Sequence, residues 1–390
     1  MSRLDELIAE LCPDGVEYRA LGEICVFKRG NSISKKDIVE GDIPVIAGGQ
    51  TPAYYCNKSN CNGETITVSS SGAYAGFVSY WNEPIFVSDA FTVNPKELLN
   101  TKYLYYFLKN NQQLIYSFKK GGGVPHVYSS DISPLKIPLP PLPVQQEIVR
   151  ILDNFTELTA ELTAELTAEL TARRKQYEYY RDELFAITNN APRKLLGEIA
   201  IDMYRGSGIK RNQVTETGTP CVRYGEIYTT YNIWFDTCVS HTDAEKIHNK
   251  KYFEHGDILF AITGESVDEI GKSCVYVGNE KCLAGGDIVV MKHNENPKYI
   301  AYALSTTDAQ MQKSKGKVKS KVVHSSVPAL KAIEIPIPPL EEQERIVAIL
   351  DRFDALCNDL TSGLPAEIEA RQKQYEYYRD KLLSFKEVTA

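Results

Sequence analysis

The sequence contains no apolar run near the roughly 20 residues needed to span a bilayer, and its first residues, MSRLDELIAELCPDG, are acidic with no apolar signal core. Both absences predict a cytoplasmic protein with no membrane association. None of the nine cysteines forms a CxxC pair, and the closest two, Cys56 and Cys61, lack the second pair that a zinc site needs. They read as structural free thiols. His241, His248 and His255 recur every seventh residue, but Gly256, Asp257 and the β-branched surroundings argue against a continuous helix, so they read as separate surface or loop histidines. Also missing are GxSxG, HExxH and the Asn-Pro-Pro-aromatic motif of methyltransferases. GESVDEIGKS at 264–273 has six residues between its first glycine and the Gly-Lys pair, whereas a phosphate loop has four because successive N–H groups must wrap one phosphate. It is expected to be a hairpin turn. Gly121 to Gly123 lack both the GxGxxG spacing and a following helix. The chain therefore reads as non-catalytic, with no cofactor or metal of its own.

A net charge of −7 argues at first against nucleic acid, yet the charge is unevenly placed. Residues 20–136 carry 11 basic against 9 acidic side chains and residues 193–336 carry 19 against 17, while 137–192 carry 5 against 9 and 337–390 carry 7 against 11. The acidity lies mainly in two segments, and those segments are copies. IPLPPLPVQQEIVRILDNF at 137–155 matches IPIPPLEEQERIVAILDRF at 335–353, and ARRKQYEYYRDELF at 172–185 matches ARQKQYEYYRDKLL at 370–383, both at an offset of 198. LGEI at 21–24 recurs at 196–199, an offset of 175, so the blocks between differ by 23 residues. A period this long is a duplicated domain-plus-helix unit and not a solenoid repeat.

Each acidic segment reads as a long helix. Apolar residues fall at Ile148, Ile151, Leu152, Phe155, Leu158, Leu162, Leu166, Leu170, Tyr177, Tyr180 and Leu184, with no glycine or proline from 144 to 188. At about 1.5 Å per residue this helix spans roughly 65–70 Å. Leu360, Leu364 and Ile368 repeat Leu162, Leu166 and Leu170, but Gly363 and Pro365 predict a kink there. The first block ends where helix one starts and the second begins a few residues after it finishes, so the blocks are expected at its opposite ends. Burying both stripes predicts that helix two runs back antiparallel along helix one, giving a pseudo-twofold dumbbell that brings the C-terminus near the N-terminal segment.

Within the blocks, GETITVSSSGAYAGFVSYW at 63–81 and GDILFAITGESVDEIGKSCVY at 256–276 predict the same strand, glycine turn and strand. Each is followed by an Asp-led strand, an Asn-Pro-Lys turn (Asn94 to Lys96, Asn296 to Lys298) and a short helix, so the fold class is α+β. The expected boundaries are 1–140, 141–190, 191–338 and 339–390: domain, helix, domain, helix.

Several stretches suit DNA. Lys313, Lys315, Lys317, Lys319 and Lys321 lie at period two, so in an extended segment their ammonium groups share one side, as phosphate contact requires. A lysine-protected edge strand is the competing reading. FKKGGGVPHVYSS, with Lys119 and Lys120, stands at the same place in the first block. Further candidates are Lys28, Arg29, Lys35, Lys36, Tyr54, Tyr55, Asn57, Lys58 and Tyr74 in the first block, and Arg205, Lys210, Arg211, Asn212, Arg223 and Tyr224 in the second. Side-chain type does not separate base contact from phosphate contact or plain solvation. A coiled-coil scaffold with two protein-binding heads is the rival class, and it predicts binding insensitive to salt.

Two variable blocks, each followed by IPxPPLxxQ(E)xIVxILD and a helix ending in QYEYYRD, with the unit TAEL repeated in LTAELTAELTAELT at 158–171, resemble the specificity subunit of Type I restriction-modification enzymes. The resemblance covers essentially the whole chain and is strongest at 137–185 and 335–383. It implies two target recognition domains reading the halves of a bipartite, asymmetric double-stranded DNA sequence. It also implies two modification subunits using S-adenosylmethionine and restriction subunits using ATP and magnesium, with helices that set the spacer and dock the partners. Four residues lengthen a helix by about 6 Å and turn it by about 40°. One base pair advances about 3.4 Å and twists by roughly 34–36°; the rotations match, and the lengths match if the helix lies oblique to the duplex axis or its packing shifts, so each TAEL unit is expected to add one base pair to the gap. Helix two carries TSGLPAE where helix one has TAELTAE, so only one arm has the clean repeat.

Overall fold

The structure is a computed structural model that describes residues 2–33, 39–187, 191–318, 321–358 and 363–388. It is α+β. The chain forms two compact units: one takes residues 1–166 and 368–390, the other 167–367.

In the first unit, Cys25–Arg29, Ala90–Pro95, Glu64–Ser69 and Val78–Asn82 make a four-stranded antiparallel sheet in that order. Tyr54–Cys56, Ile43–Ile46 and Phe86–Val87 make a three-stranded mixed sheet, the first pair antiparallel and the second parallel. The helix Thr101–Asn110 lays Tyr103, Leu104, Phe107 and Leu108, at the three- and four-residue spacing of one helical face, into a core shared with Ile66, Val68 and Val93. In the second unit, Ala200–Arg205, Ile288–His293, Ile258–Ala261, Ser273–Tyr276 and Trp234–Phe235 form a five-stranded sheet. The helix Pro297–Ser305 packs into the same core as that sheet, with its face from Tyr299 to Leu304 fully buried. A second five-stranded sheet, Val214–Thr215, Ser240–Thr242, Thr219–Val222, Cys282–Ala284 and Tyr252–Phe253, stands where the first unit has three strands. All of it but Cys282–Ala284 lies between Arg205 and Ile258, a longer stretch than the one between Arg29 and Glu64 that holds most of the first unit's three strands.

The expected hairpins are present. Glu64–Ser69 pairs antiparallel with Val78–Asn82, and Ile258–Ala261 with Ser273–Tyr276, so GESVDEIGKS is the turn of a hairpin. Both offsets survive in three dimensions: Tyr18–Ala20 pairs with Lys136–Pro138, and Arg193–Leu195 pairs with Glu334–Pro336.

One expected equivalence is corrected. Asn94 and Pro95 lie within a strand, whereas Asn296 caps a helix by accepting from Tyr299 N. The true counterpart of Asn296 is Asn100, which accepts from Tyr103 N at 3.0 Å. Capping geometry, and not the Asn-Pro-Lys tripeptide, is what the duplication preserves.

The TAEL segment lies within one helix, Leu142–Ile187. Ala, Glu and Leu are strong helix formers, and the Thr156 and Thr171 hydroxyls donate back to the carbonyls four residues earlier. Helix two is two helices, Leu340–Asn358 and Leu364–Leu382, which agrees with the interruption expected at Gly363 and Pro365. In the first unit Phe155 meets Tyr378 with centroids 6.1 Å apart, and Thr156 shares a 2.9 Å hydrogen bond with Tyr375. In the second, Tyr180 meets Phe353 at 6.0 Å. Phe155 and Phe353 are copies at offset 198, as are Tyr180 and Tyr378, so one aromatic contact is made twice between helix segments. In both units those segments run antiparallel.

Of the other stripe residues, Ile148 and Leu152 are fully buried in the first core, Leu162 lines a groove with Tyr375 and Tyr378, and Leu166 and Leu364 are buried. Leu170 packs against the second core and Ile368 is half-buried. Leu360 lies outside the described residues. The C-terminal segment meets the N-terminal one as expected: the Tyr18 hydroxyl donates to Phe385 O, and Val16 bridges to Glu387.

Candidate functional site

The proline motif has a physical purpose that its sequence did not reveal. Gln145 is fully buried: its Oε1 accepts from Asn100 N at 2.8 Å, and its Nε2 donates to Leu98 O and Pro140 O. Gln343, its copy at offset 198 and also fully buried, accepts from Asn296 N at 2.9 Å and donates to Pro338 O and Glu295. Two turns further on, Asp153 accepts from Lys102 and from the Tyr106 hydroxyl, both at 2.7 Å. Asp351 accepts from Lys298 at 2.9 Å and Tyr302 at 2.6 Å. The Tyr103 hydroxyl donates to Pro138 O, and that of Tyr299 to Pro336 O. Each domain is thus locked to the helix that follows it by the same side chains. The QYEYYRD ends dock too: Arg379 and Asp380 bond Asn110, while Asp182 accepts from Thr307 N at the start of the helix Thr307–Ser314.

On the domains, the structure gathers some of the candidate DNA residues and separates others. In the first, Lys28 and Arg29 are exposed at the end of a strand. Gly30 follows, and a Cβ there would come within 2.3 Å of Ser88 O, so only glycine allows the strand to turn in so closely. The glycine turn at 72–76 carries exposed Tyr74, and the segment after the triglycine is stapled to it: Gly72 N donates to Pro125 O and Val127 N to Ser70 O. Lys119 donates to Ala73 O at 2.8 Å and lies over the Tyr116 ring, and Lys120 pairs with Asp131 at 2.5 Å. Tyr74, Lys119 and Lys120 are therefore neighbours. Tyr54, exposed Tyr55, Asn57 and Lys58 lie on and after the edge strand Tyr54–Cys56 of the other sheet. Lys35 and Lys36 lie outside the described residues.

In the second domain, Arg205 ends its strand as Arg29 does and pairs with Asp287. Exposed Lys210, Arg211 and Asn212 follow, the last two in a 3-10 turn. Half-buried Arg223 and exposed Tyr224 start the helix Tyr224–Thr229. A cleft of about 480 Å³ collects Arg211, Arg223, Tyr224 and Asp287.

The lysine strand is a correction. Residues 307–314 are helical, capped by Thr306, and Lys313 is fully enclosed, donating to Leu304 O at 2.7 Å and Ser273 Oγ at 3.3 Å. Burial pushes its ammonium down to about 7. Lys313 cannot touch a phosphate. Lys315 and Lys321 are exposed, Lys317 donates to His324 O at 2.8 Å, and Lys319 lies outside the described residues.

Sequence reasoning missed His126 and His324. They are copies at offset 198, and each pairs with the glycine turn of its hairpin, His126 with Ser71 and His324 with Thr263. Extending the offset upstream from Ile137 would have found them.

The family model for the Type I restriction modification DNA specificity domain matches residues 13–172 and again 196–370. A Haemophilus influenzae protein described as a type I restriction enzyme specificity subunit is 33% identical over 95% of this chain and 96% of its own length. The Escherichia coli EcoR124I/EcoR124II specificity subunit is 31% identical over 99% and 97%. Among solved structures, a chain from work on complex assembly and conformational transition of the type I restriction-modification system aligns over 95% of this chain and 98% of its own, with a TM-score of 0.67 at 18% identity. The HsdS subunit from Thermoanaerobacter tengcongensis aligns over 96% and 97%, with a TM-score of 0.50 at 19% identity. These two share the fold.

Proposed function

We propose, from the premise that this chain belongs to the Type I restriction-modification specificity family, that it is the DNA-recognition subunit of such a complex and carries no catalytic site itself. Each globular domain reads one half of a bipartite, asymmetric target. Methylation of adenine and ATP-dependent cleavage are the chemistry of the modification and restriction subunits that assemble on it in the cytoplasm. The single observation that carries this reading is the repeated clamp, in which Gln145 and Gln343, with Asp153 and Asp351, fix two unlike domains to one duplicated helical frame. A frame kept constant while its heads diverge is what interchangeable half-site readers need.

The candidates from Lys28 to Lys321, without Lys313, supply the DNA-facing groups, and the acidic helix segments supply the spacer and the partner surface. The proposed division is 1–140 and 191–338 for reading, 141–190 and 339–390 for spacing and docking. Each TAEL unit adds one base pair to the gap, because its rotation of about 40° matches one base-pair step. The test is modified-base sequencing of cells carrying the chain with its modification subunit, for the wild type and for a version lacking residues 163–166. The expected result is a bipartite adenine-methylated motif whose halves stay fixed while the gap shrinks by one base pair. An unchanged gap removes the ruler and leaves recognition standing; no chain-dependent methylation from a verified complex removes both.

A further inference from the structure

The basic groups around the second domain's cleft are of two kinds. Lys210 and Arg211 are exposed with no acid partner among the described residues. Arg223 is held: its Nε donates to Glu226 Oε1 at 3.0 Å. Glu226 is itself buried and fixed, accepting from Ser240 Oγ at 2.6 Å and from Arg223 N at 3.0 Å. The Nη1 and Nη2 groups of Arg223 make no hydrogen bond among the described residues, and its side chain lines the cleft.

This pairing has two physical consequences. A guanidinium balanced by a carboxylate has lost most of its Coulomb attraction for phosphate. It has kept its donors, and with Nε engaged the remaining edge is the end-on pair of N–H groups, already oriented. Two parallel donors of this kind match O6 and N7 of guanine. The cleft also admits an edge: a Cβ at Gly208 or Gly225 would meet nothing within 4 Å. The geometry points to Arg223 as the residue through which the second domain reads a G·C pair, with Glu226 holding it and Lys210 and Arg211 serving phosphates nearby. This rests on the recognition function proposed above.

The test uses the full chain with its modification subunit and maps methylated sites for wild type, Arg223→Ala, Arg223→Lys and Gly225→Ala. In the wild-type motif one half-site holds a G·C pair at which Arg223→Ala lowers discrimination by about 5- to 150-fold, with the other half-site and the gap unchanged. Arg223→Lys keeps the charge but loses the planar fork and the Nε bond to Glu226 that orients it, so discrimination at the same pair falls, though by less than in Arg223→Ala. Gly225→Ala, whose methyl fills only open space, lowers methylation at that half-site. If Arg223→Ala unfolds the domain, seen as loss of the native Trp234 fluorescence, Arg223→Lys decides. An unchanged motif in Arg223→Lys, or a uniform loss at all sites, overturns the assignment, as does a wild-type motif with no G·C pair in either half. Absence of any bipartite methylation in the wild type would instead overturn the recognition function beneath it.

Discussion

Lys313 offers a test in which burial and DNA contact predict opposite results. Its ammonium sits near 7 in the fold against 10.5 when free, because burial disfavours the charged form and the Arg181 charge adds to the penalty. Between these two values the unfolded chain holds a proton that the folded chain has lost, so stability rises with pH across that window. Below about 7 both states are protonated and the full penalty is present. From pH 6 to pH 9 the lysine's contribution should improve by about 2–3 kcal/mol. The wild-type curve alone will not show this, since burial raises the thiols of Cys25, Cys221 and Cys274 to about 12 and their ionisation in the unfolded chain pulls stability down at alkaline pH. Comparison with Lys313→Met cancels that background, and the two hydrogen bonds lost with the ammonium contribute an offset independent of pH. The chain has two tryptophans, so a Trp81→Phe background leaves Trp234, in the second domain, as sole reporter of urea unfolding. A difference between the two proteins that does not change from pH 6 to pH 9 would refute the burial. In that case Lys313→Met should also reduce the salt dependence of DNA binding by about one phosphate contact.

Two further outcomes are expected. Gln145→Ala and Gln343→Ala each remove the three hydrogen bonds of a fully buried side chain and should destabilise their own domain by about 2–4 kcal/mol, measured by the Trp81 or Trp234 signal; effects of clearly different size would mean the two clamps are not equivalent. Lys210→Ala with Arg211→Ala should weaken DNA binding uniformly across sequences and lower the slope of log affinity against log salt by about two, while the methylated motif stays the same; a changed motif would place one of them against a base.

The helices and the duplication were legible because they rest on periodicity and on exact copies. Seventeen residues of Thr, Ala, Glu and Leu, and an offset of 198 held over both ends of a helix, leave few alternatives. The lysine run misleads because its period of two is a strand's, whereas the backbone is helical through Ser314, and Lys315 and Lys317 follow in a turn and an irregular segment. Ala309 and Lys313 are both buried, one helical turn apart, with the cap at Thr306 just upstream. Asn94 misleads for a related reason: a matching tripeptide is not a matching turn, and the preserved feature is the cap made by Asn100, three residues before Tyr103, whose hydroxyl donates to Pro138 O. The site was legible only as a set of residue types. What distinguishes Arg223 from Arg211 is Glu226, three residues away and buried, and nothing in the sequence states which arginines are tied to a carboxylate.

The first unit takes its last pieces from the far end of the polypeptide, where Arg379, Leu383 and Phe385 complete its surface and core and Glu387 bridges to Val16. The second unit is one unbroken stretch, 167–367. On a ribosome, where residues emerge in order at about 5–20 per second, the part encoded later is therefore complete earlier. The amino-terminal domain waits, with its docking site for 379–387 uncovered, until translation has passed through the whole of the second unit.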